Sequence, residues 1–416
     1  MNRLKSVVAV FYIIFSTTAF AQLGTSSPYS RFGLGDLQGN VFPEYNALGG
    51  GATAISSENS VNPSNPAAYT FFKDNSFLFS TGGLHKTTNI QNSTDNQIAN
   101  NSSFSHLTVA FSISRKLGAS VGMLPFSNIG YTLNARDNDA NADMIYSGDG
   151  GLSKIYFGGA YEPFKGFSVG MNASYLFGGL NRRKKLVYDD ESFFNARSNS
   201  KINLKGYFYE LGILYKKNLT TEKEISFGIT TNNNSSISAK RTNLVETFSG
   251  ANEIVKDTAL STLEWGNATL PQYISTGISY RDGEKWLLVA DYSMQNWENY
   301  NLFDEGDNLN NSMRVSGGMQ YTPEFNSVTK YYKRMQYRLG AAYSNTPLTL
   351  NDTQLKEMSV SFGFGIPVRK SRTQYDVSLT VGQRGTTDNN LIKEQFVRVG
   401  LSVSYDGIWF VKRKYD

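Results

Sequence analysis

From residue 75 onward the chain alternates between apolar and polar positions in one run after another. Met358, Val360, Phe362, Phe364, Ile366 and Val368 interleave with Ser359, Ser361, Gly363, Gly365 and Pro367. Val397, Val399, Leu401, Val403 and Tyr405 interleave with Arg398, Gly400, Ser402, Ser404 and Asp406. Successive side chains of an extended strand point to opposite faces, so this period of two predicts strands with one apolar face. About fourteen such runs can be placed. They are 75–88, 104–115, 117–133, 152–162, 166–180, 201–217, 222–233, 270–281, 284–298, 310–322, 331–345, 355–368, 374–385 and 394–410.

The connections between the runs differ in length from one side to the other. Long polar stretches at 89–103, 134–151, 181–200 and 234–269 take turns with short links at Arg115-Lys116, 163–165, 218–221 and Asp282-Gly283. Long loops at one end and tight turns at the other mark a transmembrane antiparallel β-barrel. The predicted fold is therefore all-β, a barrel of about 14 strands over residues 75–410. The even count places both termini at the short-turn, periplasmic end.

Charge sharpens the two faces. Glu210, Asp291, Arg314, Arg338, Asp376 and Arg398 fall on the face opposite the apolar stripe. A charge facing lipid near the midplane costs roughly 2–4 kcal/mol, so this face lines a lumen. Asp291, Arg314 and Arg338 lie on consecutive runs at similar depth and, with Glu210, predict a lumenal charge row. Such a row either stiffens the wall and grips an inner segment or meets a substrate head group. Trp286 and Trp297 bracket one run and are read as aromatic girdle positions. Pro163, Pro271, Pro323, Pro347 and Pro367 sit at or near run ends, and only Pro125 falls mid-run, where a missing donor forces a bulge or an opening in the wall. The basic stretch Arg182 to Lys185 falls in a predicted outward loop. It is either solvated charge or a contact for lipid phosphates.

Composition narrows the function. The opening MNRLKSVVAVFYIIFSTTAFA reads as a secretory signal peptide over residues 1–21, with Gln22 rather than cysteine after the cut. The chain has 416 residues, no cysteine, two histidines, 13% aromatic residues and a net charge of +5. An exported chain without disulfides must be held by packing or by a closed sheet. His85 and His106 are far apart, and no hydrolase, metal or phosphate-binding pattern stands out. No enzyme activity, cofactor or metal is expected, nor any nucleic-acid partner. Residues 411–416 follow Phe410 as a short basic tail, read as periplasmic.

The stretch NALGGGATAISSENSVNPSNPAAY, residues 46–69, has few bulky side chains. It resembles the pre-barrel segment of FadL-type outer-membrane proteins, a small-residue run ending in Asn-Pro-Ala, here Asn65-Pro66-Ala67. Residues 270–300 resemble that family's paired strands, and the interrupted third run resembles its kinked strand. The likeness extends to the bacteroidete-type branch, whose relatives bind protein partners. It implies a fourteen-stranded barrel for uptake of long-chain fatty acids and other hydrophobic compounds by passive diffusion. Residues 22–74 would form a lumenal plug, with Gly49, Gly50 and Gly51 allowing tight turns. Pro125, Phe126, Asn128 and Gly130 would form a lateral gate into the membrane. The implied partners are a hydrophobic ligand and outer-membrane lipid. The alternative is a non-transporting barrel subunit of an outer-membrane secretion or assembly complex, docking through 234–269.

Overall fold

The computed structural model describes residues 24–408 apart from Ala251, Asn308 and Lys370. The expected signal peptide, Phe410 and the basic tail lie outside the described residues. In chain order the strands are β1 (Asp36–Leu37), β2 (Ser76–Gln91), β3 (Asn96–Ser114), β4 (Leu117–Asp137), β5 (Ala142–Phe164) and β6 (Phe167–Tyr188). Next come β7 (Asn195–Asn218), β8 (Lys223–Asn232), β9 (Ser236–Ser249), β10 (Ile254–Thr269), β11 (Gln272–Asp282) and β12 (Trp286–Asn296). The last are β13 (Asn301–Leu302), β14 (Ser312–Tyr321), β15 (Gln336–Leu350), β16 (Thr353–Pro367), β17 (Gln374–Arg384) and β18 (Lys393–Ile408).

Fourteen of these close an antiparallel barrel, with β1, β9, β10 and β13 as additions. The seam is the β18–β2 ladder, which runs from Ile408 opposite Ser76 to Lys393 opposite Gln91. The alternation explains the wall. On β7, Tyr207, Tyr209, Leu211, Ile213 and Tyr215 are exposed on the outside, while Phe208, Glu210 and Leu214 are buried inside. An exposed apolar belt of this kind is stable only against lipid.

The long loops fold differently from expectation. Most of their residues extend the barrel strands, so β2 and β3 are joined by only 92–95 and β6 and β7 by 189–194. The basic stretch Arg182 to Lys185 lies within β6, not in a loop. Residues 234–269 are largely the β9–β10 hairpin. Its β9 arm pairs with the outer half of β7, from Lys205 opposite Ser238 to Asn195 opposite Phe248. The inner half of β7 pairs with β8 instead. Beyond the lipid both faces of a strand meet water, so hydropathy alternation fades while the hydrogen-bonded ladder continues.

Ahead of the barrel, residues 24–75 run along the inward faces of the wall. They begin at the long-hairpin end, where the Tyr29 hydroxyl donates to the Ile392 carbonyl. They turn at a one-turn helix, Pro43–Asn46, and end in a 3₁₀ turn, Pro66–Phe71, that leads into β2. The start of this segment is thus far from the short-turn end, where Ser76 and Ile408 lie side by side. Glycines in the wall mark its track. A Cβ at Gly118 would sit 1.9 Å from the Tyr69 carbonyl oxygen, and one at Gly228 would sit 2.0 Å from that of Thr53. At Gly340 it would sit 2.1 Å from the Gly49 nitrogen. Main chain touches main chain there, so no side chain fits.

Candidate functional site

The inner segment is tied to the wall by buried charge. One oxygen of Asp291 on β12 accepts the Ala52 and Thr53 N–H groups, both at 2.8 Å. On β14, Arg314 donates to the Gly49 carbonyl at 3.0 Å. These two wall residues clamp the run Gly49 to Thr53 from both sides. Gly49 and Gly50 have φ of +72° and +86°, the left-handed region that favours glycine. Gly51 packs against Val289.

Arg338 and Glu210 lie elsewhere. Arg338 is opposite Gln320, six residue pairs nearer the short-turn end than the Arg314–Ser344 pair. The reason is local: Tyr331–Arg334 is a 3₁₀ turn and β15 starts only at Gln336, so Arg338 is third in its strand. It bonds Asp376 on β17 at 2.6 Å and closes the wall on itself. Glu210 accepts Lys154 of β5 through both oxygens at 2.8 Å and Asn40 of the inner segment at 2.7 Å. The predicted row is therefore two level neighbours and two separate ties.

Sequence reasoning missed Lys154 and Arg384. Lys154 shares the inward parity of Tyr156, so the alternation held the signal for it. Arg384 binds Asp36 at 2.9 Å and Glu394 at 2.8 Å, and Glu394 also accepts the Ser27 hydroxyl. That cluster fixes residues 27–36 to β17 and β18. Near the other end, Asn65 caps the 3₁₀ turn by accepting the Ala67 N–H at 3.1 Å and donates to the Thr53 carbonyl at 2.7 Å. Pro66 and Ala67 lie against Gly170, where a Cβ would be 2.5 Å from the Ala67 nitrogen.

The wall is broken on one side. The β3–β4 ladder runs from Ser114 opposite Leu117 only as far as Leu107 opposite Met123. Past that point β3 pairs with β2 and β4 pairs with β5, with no ladder between them. Pro125 and a bulge at Phe126 sit where the two strands part. The free edge of β4 takes β1 of the inner segment, with Leu37 opposite Ser127 and Asp36 opposite Asn128. Gly130 exchanges hydrogen bonds with the Ser30 hydroxyl, at 3.1 and 3.2 Å. Phe126 turns inward and meets the Phe208 ring edge-on, 6.1 Å between centroids.

Two adjoining cavities lie inside. One of about 330 Å³ is lined by Phe32, Leu34, Trp297, Leu309 and Leu348. The other, about 460 Å³, reaches both sides of the break, with Leu84 and Ser105 on one side and Pro125 and Phe126 on the other. Lys86 and Arg398 stand opposite each other at its wall, and neither makes an ion pair among the described residues. Trp297 is a correction. Trp286 lies against Tyr321 on the outer surface, the ring centroids 4.4 Å apart, but Trp297 is 3% exposed within the inner core. Their separation of 11 residues is odd, so alternation puts them on opposite faces.

A closed fourteen-stranded antiparallel barrel with an outward apolar belt defines a class of transmembrane β-barrels. Solved structures of that class are similar to this chain. The Pseudomonas putida toluene transporter TodX has 14% identity over 91% of this chain and 100% of its own, with a TM-score of 0.62. The Ralstonia pickettii toluene transporter TbuX has 14% identity over 89% and 98%, with a TM-score of 0.60. A Pseudomonas aeruginosa FadL homologue has 10% identity over 90% and 100%, with a TM-score of 0.59. The shared property is the fold, a FadL-like barrel. No curated protein matches the sequence. A family model described as BamG matches residues 3–416, and the chain belongs to the BamG family.

Proposed function

We propose that the protein is an outer-membrane channel for hydrophobic small molecules of the long-chain fatty acid type. The observation that carries this reading is the missing β3–β4 ladder beside a cavity that reaches both of its sides. A ligand enters at the long-hairpin end and rests in the apolar cavity under Trp297. It leaves sideways past Pro125, Phe126, Asn128 and Gly130 into the membrane. Moving apolar surface out of water supplies about 25 cal/mol per Å², and no covalent step is needed. Lys86 and Arg398 offer a place for a carboxylate head. Residues 24–75 act as the plug that keeps solutes from leaking. The solved relatives named for toluene transport support the same class of cargo. The test is uptake of a labelled long-chain fatty acid by cells carrying the wild-type protein or Gly130→Trp. A several-fold loss in the variant, with unchanged heat-resistant gel mobility, supports lateral exit. Equal uptake counts against it.

One observation favours a second reading, a barrel subunit of a larger outer-membrane complex, as in the bacteroidete-type branch. Beyond its short pairing with β13, the outer edge of β10 has no strand partner among the described residues, and Ile254, Val255, Leu260 and Leu263 are exposed. Such edges invite strand pairing from another chain. Stoichiometric co-purifying proteins lost on deletion of the hairpin tip would favour it.

A further inference from the structure

The outer surface of β6, β7, β9 and β10 carries a patch of lysines that make no ion pair among the described residues. On β7 the apolar belt from Tyr207 to Tyr215 is framed by Lys205 on the long-hairpin side and Lys217 on the other. From Lys205 to Lys217 the tilted strand spans roughly 30 Å, the height of an outer-membrane apolar band with its girdles. The upper border is aromatic: Tyr175 and Tyr207 rings are 4.9 Å apart, and Phe177 stacks on Tyr175 at 5.9 Å. Above that border the register gathers three lysines. Phe177 is opposite Lys205, and Lys205 is opposite Ser238. One step further out Asn203 is opposite Lys240, which faces Trp265, and two more residues along β7 comes Lys201. Lys240 is thus the diagonal neighbour of both Lys201 and Lys205. Its ammonium lies 5.0 Å over the exposed Trp265 ring.

None of the three lysines makes an ion pair among the described residues. The acids on the same outer face are already taken. Asp149 is held by Arg183 at 3.1 Å and by Asn181 at 2.6 Å. Further out, Glu246 is held by Arg197, and Glu253 by Arg197 and Lys185. Three like charges grouped without a carboxylate, at the level where lipid head groups begin, repel one another unless an anion lies between them. Tyr and Trp beside them suit the same interface.

We propose that Lys201, Lys205 and Lys240, with Trp265, bind the phosphate of a phosphorylated glycolipid in the outer leaflet. The stretch Arg182 to Lys185 does not serve this role, because its outward residues Arg183 and Lys185 are neutralised within the protein. The proposal rests on the outer-membrane reading and is independent of uptake. The experiment uses full-length protein and the triple variant K201Q/K205Q/K240Q, extracted from outer membranes in mild detergent. Native mass spectrometry measures binding of bis-phosphorylated lipid A, dephosphorylated lipid A and phosphatidylglycerol, with inorganic phosphate as competitor. K217Q at the opposite border is the control. The wild type and K217Q are expected to retain phosphorylated lipid A about tenfold better than the triple variant. Retention should fall with added salt and with dephosphorylation. Equal retention by the triple variant, or equal binding of dephosphorylated lipid A or phosphatidylglycerol, overturns the proposal. Absence of the wild type from outer-membrane fractions overturns the membrane reading itself, and uptake by the triple variant is expected to be unchanged.

Discussion

Asp291 accepts the Ala52 and Thr53 N–H groups, which have no other acceptor among the described residues. Removing it leaves both donors buried and unpaired, at a cost of about 1–3 kcal/mol for each. Asp291→Ala is expected to speed hydrogen exchange at Ala52 and Thr53 at least about tenfold, with Asp291→Asn between. Unchanged exchange in both variants would show that the carboxylate is no clamp. Glu44 is a second residue to test. It is buried in the inner segment, accepts the Ser60 hydroxyl at 2.5 Å, and burial with the nearby Asp376 charge raises it from 4.5 to about 7. The docked segment therefore binds a proton that the released segment gives up. This contribution is complete below pH 4.5 and is lost as pH rises through about 7. Exchange at Tyr45 to Gly50, corrected for its intrinsic pH dependence, should be faster at pH 8 than at pH 5, and Glu44→Gln should remove the difference. A wild type with no such difference would contradict the assignment. Residue parity could be read from the sequence, as Asp291 and Arg314 illustrate. Depth could not, because Arg338 moved with a strand start that a 3₁₀ turn delayed.

At the scale of elements, the inner segment and the wall are fitted through glycine. Gly340→Val would push a side chain into the Gly49 main chain. It is expected to expose residues 46–51 to protease and to make the barrel conduct ions. Gly159→Ala is the control, since nothing lies within 4 Å of a Cβ there. Equal protease resistance in both variants would argue against close docking. The fourteen runs were legible because lipid on one side and lumen on the other impose alternation. The strand extensions and the β9–β10 hairpin were not, because water on both faces removes that constraint. Pro125 lies beside the irregularity in the β4–β5 register. The extent of the break, and its cover by β1, depends on a pairing partner more than 80 residues away in the chain, which local pattern does not encode.

The whole molecule is a fourteen-stranded wall with a segment packed along its inward faces and a break in its β3–β4 ladder. The wall closes through the β18–β2 seam, and at the β3–β4 break β1 pairs with part of the β4 edge. The same closure predicts that an unboiled sample runs faster on a denaturing gel than a boiled one, and a single position for both would argue against a closed barrel. The proposed channel should pass apolar cargo while conducting few ions. The most direct measurement is uptake of a labelled long-chain fatty acid by cells with and without the protein, at matched levels of folded barrel. The account predicts protein-dependent uptake that Gly130→Trp reduces several-fold. Uptake equal to that of cells lacking the protein would contradict it.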